Sequence, residues 1–398
     1  MSSDRAERLL EQLHADRAHA FGLLERLVAA ESPSRHPRLQ RAVQEILISE
    51  LDDLGYQIRR IPDPRTGGYL LGTPRQRDRG KPVQLLVGHG DTVWPEGTLD
   101  EMPITMRAGK MTGPGIYDMK GGLTQIIHVL RGLRALDLVP QVTPLVFVNS
   151  DEEIGSELSR SVVGRLARVS ERVLVLEPAY GPRGKLKTAR KGVGQFVIKV
   201  RGKAAHAGLE PGKGISAILE LSLVIQQLFA LNDPEAGLSV NVGTIDGGLR
   251  SNVVAPESEA TVDVRVVSWA QARDVEAAIF GLEPQNPEAE LEISGGFVLP
   301  PMEFTPGNQA LWRLAQESAR ELGLEIENCL AGGGSDGNIT SQFSPTLDGL
   351  GPRGDGAHAR HEHVLLDSLV ERGALLGLLL LAPPLCLQNG DMRYTAAS

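Results

Sequence analysis

"VQLLVGHGDT", residues 83–92, is an apolar run that halts at a histidine and then, two residues on, at an aspartate. Its apolar side chains do not alternate with polar ones. A strand built from them has both faces covered, as strands do in a parallel sheet packed between helices. The same form recurs in "PLVFVNS" (144–150) and "RVLVLE" (172–177). Helix-like stretches, "LTQIIHVLRGLRAL" (123–136) and "SRSVVGRLARV" (159–169), separate these runs. Strand and helix in alternation predict an α/β fold with a mostly parallel sheet covered by helices on each side. Upstream, leucines at 9, 10, 13, 23, 24 and 27 predict an amphipathic helix over residues 4–30.

The pattern changes after Gly192. "GQFVIKVRG" reads as a strand and "GISAILELSLVIQQLFAL" as a helix; "LSVNVGTIDGG" and "ESEATVDVRVVS" alternate as two half-solvated strands. "AQARDVEAAIFGL" is a second helix and "AELEISGG" a last strand. The order β-α-β-β-α-β is the ferredoxin-like arrangement, complete in itself. Helix-like and strand-like segments return from about Thr305. The predicted division is a larger α/β domain made of 1–192 and 306–398, interrupted by a smaller α+β domain at 193–305.

The 398 residues are 41% hydrophobic and 23% charged, an ordinary globular composition. A net charge of −9 argues against binding nucleic acid through its phosphates. Two cysteines, Cys329 and Cys386, cannot build a disulfide framework or a thiolate zinc site. The N-terminal "MSSDRAERLLEQLHADRAHA" lacks the apolar core of a secretory leader, so a cytoplasmic protein is expected. "ALLGLLLLAPPLCL" (374–387) is too short to span a bilayer and predicts a buried last helix.

Three apolar strands end in side chains that bind metals. They deliver His89 and Asp91, then Asp151, Glu152 and Glu153 in "SDEEIGS", then Glu177. In open α/β sheets, ligands sit beyond the carboxyl ends of the strands. Asp118 lies in the glycine-rich "GPGIYDMKGG" (113–122), and "GDGAHARHEHV" (354–364) adds His358, His361 and His363. Each is ordinary alone; their repetition at successive strand ends is not. Burying several carboxylates together is prohibitive unless a cation offsets them. The glycine loop lacks the G-x-x-x-x-G-K-[ST] pattern of a phosphate cradle, and its aspartate would repel phosphate. Imidazole and carboxylate without cysteine suit zinc, with cobalt or manganese as substitutes. Two histidines and three carboxylates fit two metals sharing a carboxylate, roughly 3.5–4 Å apart. Glu152 and Glu153 leave their strand on different sides, one free to ligate and the other to hold water as general base.

These segments resemble the aminoacylase and glutamate carboxypeptidase family of two-zinc amidohydrolases, which includes acetylornithine deacetylase and succinyl-diaminopimelate desuccinylase. The motifs run in order through most of the chain: "GHGDTV", "GPGIYDMKGG", "SDEEIGS", "VLEPA", "GKAAHAG", "SNVVA", "DVR", "GGGSDGN" and "GAHARHEHV". The nearest kind is the carboxypeptidase G type. The resemblance implies two Zn²⁺ per subunit, one on His89 and Glu177, the other on Glu153 and His358, with Asp118 bridging. It implies a cis peptide after Asp118, Asp91 orienting His89, and Glu152 as general base. It makes the inserted domain a dimerisation domain that lends His206 to a partner's site. Asn252, Arg265, Gly333 and Ser335 match substrate-binding positions, while His361 and His363 match nothing and read as surface residues. Glutamate-releasing relatives carry an arginine after the last strand of the small domain. Here "SGGFVLPPMEF" (294–304) has none, which points to a more apolar leaving residue unless Lys185 compensates. The expected activity is cleavage of an amide next to a free carboxylate, in a small peptide, by a homodimer that binds neither nucleic acid nor membrane. The alternatives are an N-acyl-amino-acid deacylase and, from another class, a non-catalytic metal-binding dimeric scaffold.

Overall fold

The computed structural model describes residues 2–385; Met1 and residues 386–398, Cys386 among them, lie outside the described residues. The chain divides into two compact units, one of Met1–Thr188, Phe304–Ala331 and Ser335–Ser398, the other of Ala189–Glu303 and Gly332–Gly334.

The first unit is built on a six-stranded sheet in the order Tyr56–Ile61, Tyr69–Pro74, Thr143–Asn149, Val83–His89, Arg172–Val175, Thr346–Leu347. The last four run parallel, and the first two form an antiparallel hairpin at one edge. Every residue of Val83–His89 and Thr143–Asn149 is buried, as an unbroken apolar run requires. The two strands pair in register from Val83 opposite Thr143 to His89 opposite Asn149, so they end level. Helices Ser2–Ala15, Gly121–Ala135 and Leu366–Leu381 pack into the core over this sheet. Leu366–Leu381 is the predicted buried last helix. Gly122 brings Gly121–Ala135 hard against a strand end, since a Cβ there would stand 2.0 Å from the Leu176 carbonyl oxygen.

The expected single helix over residues 4–30 is two, Ser2–Ala15 and Arg17–Ala29. Asp16 separates them, its carboxylate taking two hydrogen bonds from Arg131 (2.9 and 3.3 Å). Leucine spacing cannot register such a break, because both helices turn apolar faces to the core.

The second unit holds a four-stranded antiparallel sheet in the order Ser239–Gly247, Glu257–Val266, Gly192–Arg201, Glu290–Leu299. This is the ferredoxin-like order. Burial alternates along Glu257–Val266, so one face packs against helices Ala217–Ala230 and Trp269–Phe280. Ser216 and Ser268 cap those helices, accepting from the Leu219 and Gln271 amides. The last strand runs to Leu299, three residues past the end of the expected "AELEISGG". No helix among the described residues is long and apolar enough to cross a membrane.

Candidate metal centre

Beyond the ends of Val83–His89 and Thr143–Asn149, the first unit gathers the acidic and imidazole groups named above. His89 is almost wholly buried. Its Nδ1 lies 3.0 Å from the Asp91 carbonyl oxygen, an acceptor, which puts a proton on Nδ1 and makes Nε2 the nitrogen that would offer its lone pair to a cation. That nitrogen faces three carboxylates: Asp118 Oδ1 at 3.3 Å, Glu177 Oε1 at 3.6 Å and Glu152 Oε2 at 4.0 Å. His89 Nε2 has no hydrogen-bond partner, nor has the buried Glu153 Oε1. On the other side of Asp118, His358 Nε2 lies 3.4 Å from Oδ2 and 3.1 Å from Glu153 Oε2. Asp118 thus turns one oxygen to each imidazole. The Asp118–Met119 peptide is cis.

Asp91 ties the two strand ends together. Its carboxylate sits 3.4 Å from His89 Nδ1 and accepts from the Glu152 and Glu153 amides at 3.4 and 3.2 Å. Those glutamates lie not on a continuing strand but in a 3-10 turn, Glu152–Ile154. The turn still sends them apart, Glu152 toward His89 and Glu153 toward His358. Asp151 holds the turn from behind, accepting from the Leu158 and Ser159 amides.

The electrostatics are those of a site with too much negative charge. Burial, then the neighbouring Glu177, pushes the Glu152 pKa well above the carboxylate range, and burial raises Glu153. Burial acts to lower the His89 pKa, but contact with Asp118 and Asp91 outweighs it and raises it well above the usual value. Contacts with Asp118 and Glu153 push His358 up to about 10. The cluster draws protons wherever it can. Lys187 lends positive potential to Asp118. Asp336 behind the site is pushed up to about 6 by burial while accepting from Ser156 and Asn149. His89, Glu152 and Glu177 form one group close enough to hold a cation, and His89, Asp118 and Glu153 form another; imidazole and carboxylate donors suit divalent cations.

The other residues singled out in the sequence are placed as follows. Lys185 is paired with Glu327 at 2.8 Å. The Ser335 hydroxyl donates to Asp348 at 2.6 Å and caps the short helix Asp336–Thr340. In the second unit, exposed His206 accepts from the Gly208 and Leu209 amides on Nδ1, which leaves the proton on Nε2. His206 bridges to Val253, beside exposed Asn252. Arg265 is held by Asp263 through two hydrogen bonds of 2.7 and 2.9 Å. The Gly333 carbonyl accepts from Arg190. His361 is exposed and His363 half-buried. The residue between them, Glu362, is fully buried and bonded to the loop bearing Asp118. Nothing in a polar stretch flanked by two histidines signals that burial.

Residues 85–382 match the family model described as peptidase family M20/M25/M40. The chain belongs to the M20/M25/M40 peptidase family. It is therefore a hydrolase of the M20 metallopeptidases and amidohydrolases. Carboxypeptidase G2 of Pseudomonas sp. (strain RS-16) is 29% identical over 360 residues, 88% of this chain and 85% of that protein. Two M20-like crystal structures share the fold. Aminopeptidase PepT of Bacillus cereus aligns at a TM-score of 0.76 and 20% identity, covering 92% of this chain and 98% of its own. Bacillus subtilis YXEP, a dinuclear metal-binding peptidase of the M20 family, aligns at 0.66 and 16%, covering 92% and 98%.

Proposed function

We propose that this M20 hydrolase is a cytoplasmic, homodimeric two-zinc exopeptidase that cleaves the amide next to a free carboxylate and prefers a more apolar leaving residue than glutamate. One observation carries the reading: two imidazole–carboxylate groups share Asp118, and Glu152 stands 4.0 Å from His89 Nε2, where it would act as an acid beside the ligands. His89 and Glu177 would hold one zinc, His358 and Glu153 the other, and Asp118 both. Such a pair, when bound, supplies Lewis acidity and a water acidic enough to ionise near neutral pH; cobalt or manganese can replace it.

Glu152 takes the proton from the attacking water and returns it to the leaving nitrogen as the carbon–nitrogen bond breaks. Asp91 keeps the His89 lone pair aimed inward and holds the turn that separates Glu152 from Glu153. His206 carries its proton on Nε2, the tautomer that can donate to a developing carbonyl oxyanion in the partner's site. Asn252, on the segment bridged to His206, lies in the same patch and would help hold the substrate. Arg265, Gly333 and Ser335 would act on substrate through the groups they order, since each is already engaged.

Dimerisation through the inserted unit is supported by the apolar side chains it leaves exposed: Leu219, Phe229, Ile245 and Leu249. The apolar preference is supported by Gly295–Leu299, which carries no cation. Phe297 and Val298 there line a recess of about 720 Å³, and Phe297 stacks edge-on against Phe196. Lys185 is occupied by Glu327.

The test is release of the C-terminal residue from dipeptides ending in Glu, Phe or Leu, beside a panel of N-acyl amino acids, with the zinc-loaded protein. Fastest release of Phe or Leu supports the proposal. Hydrolysis of N-acyl amino acids alone makes the protein a deacylase. Two bound metals with no hydrolysis of any amide would leave a scaffold.

A further inference from the structure

We propose that Glu362 is the positioning residue of the metal centre: a buried carboxylate that pins the main chain on which Asp118 rides to the segment that carries His358. The inference rests on the metal-centre reading above and names a residue that reading does not use. Glu362 is 0% exposed. Its Oε1 accepts from the Tyr117 and Asp118 amides at 2.9 and 3.1 Å, and its Oε2 from the Gly115 amide at 2.9 Å and the Trp94 indole at 2.8 Å. Three of the four donors belong to the loop that ends at Asp118.

Successive amides turned toward one point form an anion-binding concavity, and here the anion is a side chain of the same protein. Glu362 lies four residues past His358, and its own amide donates to the Ala359 carbonyl at 3.0 Å. Its carbonyl accepts from the Gly113 amide, closing the connection from the main-chain side. Gly356 makes room for this fold-back, with φ at 82° and a Cβ position only 2.8 Å from the Glu362 nitrogen. Asp118 and His358 come from distant parts of the chain, yet one carboxylate sets their relative position. A metal shared by the two tolerates little error in that spacing.

The test is zinc binding by Glu362→Gln. The amide keeps the shape but replaces one acceptor oxygen with an N–H donor facing other N–H groups. Affinity is read by competing zinc against a chromophoric chelator, at a temperature where both zinc-free proteins are fully folded. Zinc affinity of the folded variant is expected to fall about 10–100-fold, with kcat reduced and KM little changed. Zinc affinity within twofold of wild type, with only a lower melting temperature, would reduce Glu362 to a structural residue. Trp94→Phe removes one donor and leaves the loop's three bonds, and its affinity should fall about fivefold. Should Glu362→Gln not fold, unchanged zinc affinity in Trp94→Phe overturns the proposal by itself. Wild-type protein that binds no zinc would sink the metal centre itself, a distinct result.

Discussion

The two units of this chain handle charge in opposite ways. In the inserted unit, Asp263, Glu257 and Glu292 lie on an antiparallel sheet beside cations of the same unit. Arg201 meets Glu292 at 3.0 Å, Lys199 meets Glu257 at 3.8 Å, and Arg265 meets Asp263 at 2.7 Å. In the parallel-sheet unit, Asp91, Asp118, Glu152, Glu153 and Glu177 converge where buried strands end, opposite two imidazoles. Solvent screens the first set, so its geometry is worth little; desolvation amplifies the second, so it needs an outside cation. Charge that a protein leaves unbalanced in its interior marks where a ligand completes it.

The comparison breaks most visibly at Asp118. Asp118→Ala should empty the site, with metal content by elemental analysis falling well below two per chain and turnover dropping on the order of 10³-fold or more. Retention of both metals would mean that Asp118 is not shared. Glu152→Gln should keep both metals while lowering kcat roughly 10²–10⁴-fold, which separates proton transfer from ligation. A variant as active as wild type would remove Glu152 from the chemistry.

His206→Ala carries the test into the inserted unit. Metal content should stay intact and kcat fall about 10²-fold, the loss expected on removing one oxyanion donor. Unchanged kcat would detach that unit from catalysis.

Away from the site, His128 shows the same desolvation in a milder form. Its ring is buried, and burial lowers its pKa to about 4 against the pull of Asp16 at 3.7 Å and of the Leu13 backbone; His19 and Arg131 add to the lowering. The folded pKa lies below the ordinary 6.5, so unfolding takes up protons between these values and stability falls as pH drops from 6.5 through about 4. The contribution lost is about 3 kcal/mol, so His128→Phe should flatten this acid limb of a denaturation series. An identical limb in the variant would show that folding does not lower the His128 pKa. The smallest effect belongs to the solvated set. Arg201→Ala, despite two acidic neighbours, should change unfolding free energy by no more than about 0.5 kcal/mol.

Much of this was legible in the sequence because it is local. Unbroken apolar runs ending in His89, Asn149 and Val175 specify doubly covered strands, and period-two alternation specifies the half-solvated sheet of the inserted unit. Strand ends carrying acids and imidazoles announce a metal, since no other arrangement of those residue types is inexpensive to bury. The break at Asp16 was hidden, and the residue that bonds its carboxylate there, Arg131, lies more than a hundred residues away. Glu362 was hidden as well, its partners being main-chain amides some 245 positions upstream that no side-chain pattern encodes.

The sequence alone determined which side chains are present and which strands are covered, for these follow from composition and period. Only the tertiary structure decided which His89 nitrogen faces the carboxylates, that Asp118 turns one oxygen to each imidazole, and that Lys185 and Arg265 are already spoken for by acids. Hydrogen-bond direction and charge pairing depend on distances of a few ångströms between remote segments, and only the folded chain sets those distances.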